Sequence, residues 1–267
     1  MNELVVRSIS GVLYVGLLVL ALYLGPVFAY NIILLFGLFA LIEFQKINKH
    51  KSPFPSLILL GLVYFHYKGL LPQKTLEVIN WVALCTNCLL TIRLFYPIGI
   101  FEKSFSRFFL SYGYLTFSVF CIILITGSQE TYRPGYLLIT YLLIWTNNSF
   151  AYLVGKKWGK TLLFSKISPK KSWEGFMGGL LATIITGGII ATYDTVFDRW
   201  QLMIFGVAIT VLATLGDLIE SQFKRISGVK DSGSLIPGHG GFYDRMDSII
   251  YTAPFVIILL QLFYHVS

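Results

Sequence analysis

Five of the thirteen acidic residues of this chain fall between Asp217 and Asp247, in a window bounded on both sides by long apolar runs. The window opens as Asp217-Leu-Ile-Glu220-Ser221-Gln-Phe-Lys224-Arg225 and passes through Lys230 and Asp231. It closes as Pro237-Gly238-His239-Gly240-Gly241-Phe-Tyr-Asp244-Arg245-Met-Asp247. Carboxylates packed this closely against lysine and arginine are suited to holding a hard cation together with a polyphosphate. A helix continuing past Ile219 puts Asp217, Glu220, Ser221, Lys224 and Arg225 on one face and Leu218, Ile219 and Phe223 largely on the other. For Lys224 and Arg225 alone, a solvated helix end would suffice. Asp217 is different, because it lies about a turn inside the apolar boundary, where a charge is costly unless paired or metal-bound.

Asp244 and Asp247 share a face at the start of the next apolar run, a place where any aspartate also gains from the helix N-terminus. Carboxylates from two adjacent helix ends, Asp217 and Asp244, are expected to share a divalent cation such as Mg2+, with Asp247 as a further candidate ligand. Lys230 and Arg245 stand close by in sequence. The turn Pro237-Gly238-His239-Gly240-Gly241 would let backbone N–H groups approach phosphate oxygens. His239 either donates to phosphate or fills the turn, and the sequence leaves both open.

A second cationic stretch reads Gly155-Lys156-Lys157-Trp-Gly-Lys160, then Ser165-Lys166-Ile-Ser168-Pro169-Lys170-Lys171-Ser172-Trp173-Glu174-Gly175. Lys156, Lys157 and Lys160 need no role beyond setting orientation in a membrane. Ser168, Lys170 and Lys171 differ, since proline and hydroxyls beside paired lysines suggest a rigid turn with donors for phosphate. Upstream, Thr146-Asn147-Asn148-Ser149 interrupts an apolar run, so these polar groups must face other helices or a wet cavity. Glu43 is expected only to snorkel at a helix end.

The elements that position these groups are membrane helices. The 267 residues are 55% hydrophobic and 13% charged, and the mean hydropathy is +0.71, far from soluble composition. Nine apolar runs are predicted to span, at 9–24, 27–44, 54–67, 76–95, 108–126, 135–154, 176–193, 200–219 and 249–266. The third is short. The first lacks a cleavage site and is read as an uncleaved span. With nine spans, 17 of the lysines and arginines fall on one side and 4 on the other. Without the third span the division is 13 against 8. The heavy side is expected to be cytoplasmic, with the N-terminus and the 217–247 window on it. The fold class is therefore all-α, a polytopic helical bundle forming a single membrane-embedded domain over 1–267, with N-terminal helices over 1–127 and the chemistry-bearing helices over 135–267.

A net charge of +8 reads as orientation and headgroup contact rather than nucleic-acid binding. Cys85, Cys88 and Cys121 lie within apolar runs without nearby histidine, so helix packing is expected in place of zinc or redox chemistry. No internal repeat or low-complexity segment is present.

The motif Ser221-Gln-Phe-Lys224-Arg225, Lys230-Asp231-x-Gly233, Ile236-Pro237-x-His239-Gly240-Gly241-x-x-Asp244-Arg245-x-Asp247 spans 27 residues and resembles the signature of the phosphatidate cytidylyltransferases, also called CDP-diacylglycerol synthases. Ala151-Tyr152-x-x-Gly155 and Ser168-Pro169-Lys170-Lys171-Ser172-x-Glu174-Gly175 are similar to two further motifs of that family. The five N-terminal runs match only in hydropathy. Asn148 stands where the family usually has Asp, and Ser172 where Thr is common. An amide can still ligate a cation through its carbonyl or bind a substrate hydroxyl.

The resemblance implies transfer of the cytidylyl group of CTP to phosphatidic acid, giving CDP-diacylglycerol and pyrophosphate. It implies that Asp217 and Asp244 hold magnesium, with room for a second cation such as K+. Lys224, Arg225, Lys230 and Arg245, with Lys170 and Lys171, then neutralise the phosphates, while Ser168, Ser221, His239, Gly240, Gly241 and Asn148 contribute to substrate binding. The expected setting is a bacterial inner membrane with the site facing the cytoplasm, and a homodimer is compatible with it. A CTP-dependent polyprenol or phytol kinase shares the membrane and the nucleotide. A transporter is the non-enzymatic alternative and predicts no metal-dependent turnover of nucleotide.

Overall fold

The computed structural model describes residues 3–96, 109–193, 197–238 and 240–266, so His239 lies outside the described residues. Helices occupy every stretch where the sequence is continuously apolar. They are α1 (Glu3–Leu24), α2 (Pro26–Ile47), α3 (Phe54–Tyr67), α4 (Gln73–Phe95), α5 (Ser111–Ile125), α6 (Pro134–Trp158), α7 (Trp173–Ile190), α8 (Arg199–Ile226) and α9 (Tyr243–Val266). Six of these, α2, α4, α6, α7, α8 and α9, are long and apolar enough to cross a membrane, and the described apolar parts of α1, α3 and α5 are shorter. The protein is an all-α integral membrane protein.

Local signals fix the helix starts. Pro26 and Pro134 open α2 and α6 at the position where a missing N–H costs nothing. Asp198 and Gln201 form a reciprocal capping box at the start of α8, with the Asp198 N–H donating to Gln201 Oε1 at 2.9 Å. Ser172 caps α7, its Oγ accepting from the Gly175 N–H at 3.1 Å. The segment 168–172, expected as a turn, is instead strand β2 (Ser168–Ser172), paired antiparallel with β1 (Leu162–Phe164). A Ser-Pro-Lys-Lys-Ser string has turn composition. Pairing with the β-forming Leu-Leu-Phe segment after Thr161 overrides that preference.

The C-terminal helices approach one another through small residues. A Cβ on Gly175 of α7 would lie 2.7 Å from the Ala151 carbonyl of α6, and one on Gly216 of α8 would lie 2.9 Å from the Asp247 carbonyl of α9. Without a hydrophobic drive between helices in lipid, such close backbone contact is a principal source of association. Thr183 and Thr210 add a hydroxyl pair at 2.7 Å between α7 and α8.

The N-terminal helices join this group through side-chain packing. Phe44 of α2 is fully buried and meets Tyr114 of α5, Phe223 of α8 and Tyr243 of α9 at ring-centroid distances of 5.6, 5.2 and 5.3 Å. The Tyr114 and Tyr243 hydroxyls lie 3.1 Å apart, so neither is orphaned. Pro254 interrupts the backbone ladder of α9, and Asn87 of α4 donates to the nearby Tyr251 carbonyl at 2.9 Å.

Cys121 is buried, as a packing role requires, whereas Cys85 and Cys88 are free and on the exposed face of α4. Their spacing of three places both on one helical face, which is exposed among the described residues.

Candidate active site

The helix α8 does continue past Ile219, ending at Ile226. Leu218, Ile219 and Phe223 are buried, while Asp217, Glu220 and Lys224 line a cavity of about 430 Å3. The opposite wall comes from α6, where Asn147, Asn148 and Ala151 line the cavity, so the polar interruption of that helix opens onto it. The hairpin closes one side with Ser168, Lys170 and Lys171, and the first turns of α9 supply Asp244, Arg245 and Asp247. Four sequence segments that look unrelated in the chain therefore meet at one place.

Within the cavity the carboxylates divide into two groups. Asp217, Glu220 and Asp247 each bring an oxygen within 4.8 Å of the others. Glu220 and Asp247 are 2% and 9% exposed. Asp217 Oδ2 accepts from Lys171 Nζ at 2.5 Å, and Ser221 Oγ donates to Asp217 Oδ1 at 3.4 Å. Asp244, expected beside Asp217, is instead tied elsewhere. Its Oδ1 accepts from Lys224 Nζ at 2.8 Å. Its Oδ2 accepts from the Ser232 and Gly241 N–H groups at 2.9 and 2.7 Å, and the Ser232 hydroxyl lies 2.9 Å from it. Lys224 bridges the two groups, because it also contacts Glu220 Oε1 at 2.6 Å.

This geometry fits a hard cation. Three acids gathered within 4.8 Å repel one another, Lys171 contacts Asp217, and Lys224 is shared between Glu220 and Asp244. An oxygen-only donor set of this kind is the one magnesium prefers. Glu220, which belonged to the expected helical face but not to the expected ligands, belongs to the set. Its position one turn from Asp217, facing the same way, was the available signal.

The remaining expectations separate in the same manner. Gly240 and Gly241 do not present open backbone to the cavity. The Gly241 N–H serves Asp244, and a Cβ on Gly240, whose φ is 83°, would lie 2.5 Å from Asp244 Oδ2. Arg225 is exposed and donates from Nε to the Ile167 carbonyl and from Nη1 to the Val229 carbonyl, both at 3.4 Å. Lys230 is exposed, and neither it nor Arg225 lines the cavity. Glu174 accepts from the Lys160 and Thr161 N–H groups at 3.0 and 3.2 Å and so anchors the chain entering the hairpin. Glu43, expected to snorkel, is buried with 2% exposure and accepts from the Tyr243 N–H and the Ser232 hydroxyl. Snorkelling needs water at the helix end, and the 231–243 loop covers it.

A second cavity, of about 300 Å3, lies on the other side of Asn148, Arg245 and Asp247, and α1 supplies its far wall through Ser10, Gly11 and Tyr14.

The profile of the cytidylyltransferase family matches residues 5–263, so it includes the N-terminal helices that motif reading left unassigned. The chain is 41% identical over 134 residues to a phosphatidate cytidylyltransferase of Staphylococcus epidermidis, and 42% identical over 134 residues to those of Staphylococcus saprophyticus and Staphylococcus aureus. These alignments cover 49% of this chain and 52% of each relative, so the chain spans about half the length of the curated relatives it matches.

Proposed function

We propose, from the premise that this chain belongs to the cytidylyltransferase family, that it transfers the cytidylyl group of CTP to phosphatidic acid, forming CDP-diacylglycerol and pyrophosphate. The observation that carries this reading is the single cavity in which the 217–247 carboxylates meet the Lys170–Lys171 strand. An acceptor that is already anionic needs little base catalysis, so the demand on the protein is charge neutralisation and alignment. A lipid phosphate oxygen attacks the α-phosphorus of CTP, and the bond from that phosphorus to the bridging oxygen breaks as pyrophosphate departs.

Asp217, Glu220 and Asp247 are the residues that would hold magnesium, which supplies neutralisation of the triphosphate. Lys171 is positioned by Asp217 and Lys170 lies beside it on the cavity wall, so both can meet phosphate oxygens. Lys224 keeps its ammonium between Glu220 and Asp244. Arg245 lines both cavities, which suits a group that contacts nucleotide phosphate on one side and lipid phosphate on the other. Asn148 lies in the shared wall, where its amide can bind a substrate hydroxyl.

The site is proposed to face the cytoplasm of a bacterial inner membrane, in a nine-span topology with a cytoplasmic N-terminus. The 17 to 4 division of cationic residues supports that orientation. Reporter fusions after Ser267 and between Lys156 and Lys171 should then give opposite sides of the membrane, and agreement between them would sink it. The activity itself is tested by incubating the purified protein with CTP labelled on the α-phosphate and with phosphatidic acid. Label in a CDP-lipid with release of pyrophosphate is the expected result. Release of CDP with an unlabelled lipid phosphate would mean a kinase instead.

A further inference from the structure

We infer that Glu43, on a helix that lines no part of the cavity, is a positioning residue that latches Ser232 and the start of α9 and thereby sets the orientation of Asp244 and Lys224. The inference rests on the proposed transferase reading for its kinetic arm, and on geometry alone for the rest.

A carboxylate with 2% exposure is retained only where its environment compensates for lost water. At Glu43 that compensation has a specific form. Oε2 accepts from the Tyr243 N–H at 2.9 Å, the first residue of α9, so α2 provides a cap for a helix 200 residues away in sequence. The same oxygen lies 3.0 Å from Ser232 Oγ. The one hydroxyl proton of Ser232 goes to either Glu43 or Asp244, whose Oδ2 lies 2.9 Å away, while the Ser232 backbone N–H donates to Asp244 in either case. The contacts thus run from Glu43 through Ser232 to Asp244, then to Lys224 and Glu220.

The glycines of the loop support the same conclusion independently. A Cβ at Gly233 would collide with Glu43 Oε1, and one at Gly241 with Glu43 Oε2 and Ser232 Oγ. Two of the glycines in the signature are there to admit this carboxylate. Oε1 has no hydrogen-bond partner among the described residues, so stabilising the apolar interior is not what the side chain does best. A leucine would pack there without an orphaned oxygen, at the cost of the cap and of the Ser232 contact.

The test uses Glu43→Ala and Glu43→Gln in the full chain, purified in detergent. Glutamine with its amide oxygen in the place of Oε2 keeps an acceptor for both the Tyr243 N–H and the Ser232 hydroxyl, and its NH2 takes the place of the unpartnered Oε1. Three quantities are read: kcat and KM for CTP, amide hydrogen exchange by mass spectrometry, and the thermal unfolding midpoint. For Glu43→Ala we expect kcat to fall by about tenfold or more, because small misplacements at a reacting centre are costly. KM for CTP should stay within about threefold and Glu43→Gln should recover much of the loss. Exchange should accelerate in the peptides covering 231–244, while those of α4 and α5 are unchanged. A kcat within about twofold of the unsubstituted protein, or faster exchange spread evenly through the helices with a matching fall in midpoint, would overturn the inference. If the unsubstituted protein forms no CDP-lipid, the functional reading fails. The exchange pattern still decides the latch, since unchanged exchange in 231–244 overturns it without reference to any reaction.

Discussion

The helices α1–α5 and the helices α6–α9 are built on different principles. In the first group, contact is made by large apolar side chains such as Leu41, Phe44, Leu90 and Phe120, all fully buried. In the second, backbones approach through Gly175 and Gly216, and polar side chains fill the space this creates. The difference is that of a scaffold and a site. Cavities of about 330 and 310 Å3 do lie among the N-terminal helices, but neither gathers acids and lysines as the C-terminal cavity does. There a seam of small residues lets polar side chains from four segments converge. Among the described residues, two charges cross from the first group: Arg93 of α4 lies over the Phe223 ring of α8, and Glu43 reaches Ser232 and Tyr243 rather than the cavity.

If that division is sound, isosteric loss of charge in the second group should abolish activity without unfolding. Asp217→Asn and Asp247→Asn keep the volume and one ligand oxygen but remove the negative charge that a bound cation requires. Each should lower turnover by about 10³-fold or more, in protein that inserts and elutes as the unsubstituted chain does. Retention of a tenth of the activity by either variant would break the comparison at its strongest point. Glu220→Gln should behave similarly, and it is the variant that separates the three-carboxylate group from a site made by Asp217 and Asp244 alone.

A smaller effect is expected from cations. Lys170→Ala with Lys171→Ala removes two ammonium groups from the cavity wall and should cost about 100-fold in kcat/KM. Lys156→Ala with Lys157→Ala should cost less than about threefold, since those lysines lie over the exposed rings of Tyr152 and Trp158. Equal losses at matched expression would make both pairs mere determinants of orientation. The scaffold side of the comparison is probed by Phe44→Ala, which empties a site shared by four helices. It should destabilise the fold by about 3–5 kcal/mol, read as a lowered thermal midpoint, while the folded fraction keeps turnover within an order of magnitude.

Hydropathy and spacing made the helices readable, because each span is a continuous apolar run and each motif sits at a run's end. All nine expected runs overlie helices among the described residues. The face carrying Asp217, Glu220, Ser221 and Lys224 followed from helical periodicity alone. What periodicity could not supply was the division of labour among the acids. Whether Asp244 or Asp247 turns toward Asp217 depends on the loop before α9, where Ser232 and the Gly241 N–H claim Asp244. Those are tertiary hydrogen bonds with no local pattern. Glu43 was illegible for the same reason, as its partners are about 190 and 200 residues away. The hairpin was missed because Pro169 and the lysines favour a turn, and only pairing with Leu162–Phe164 makes them a strand.

The weakest effects should come from two cations that sequence spacing placed in the site and the fold placed outside it. Arg225 shares a helical face with Asp217 by count, but it stands about 100° around the helix from Lys224, which lines the cavity in the same last turn of α8, and so it looks onto the hairpin. Its two contacts are to carbonyls at 3.4 Å, near the limit for a hydrogen bond, and its exposed guanidinium is screened by water. Arg225→Ala should therefore lower kcat/KM by no more than about fivefold, through a looser hairpin rather than a lost phosphate contact. Lys230→Ala should be smaller still, within about twofold, since its exposed ammonium makes no contact with the cavity wall. Raising ionic strength separates the two explanations. A loss due to missing phosphate contact should shrink as salt screens that contact in the unsubstituted protein, and a loss due to hairpin placement should persist. A hundredfold loss at Lys230 would place it on substrate, and the boundary between site and surface would have to move outward to include the 227–231 turn.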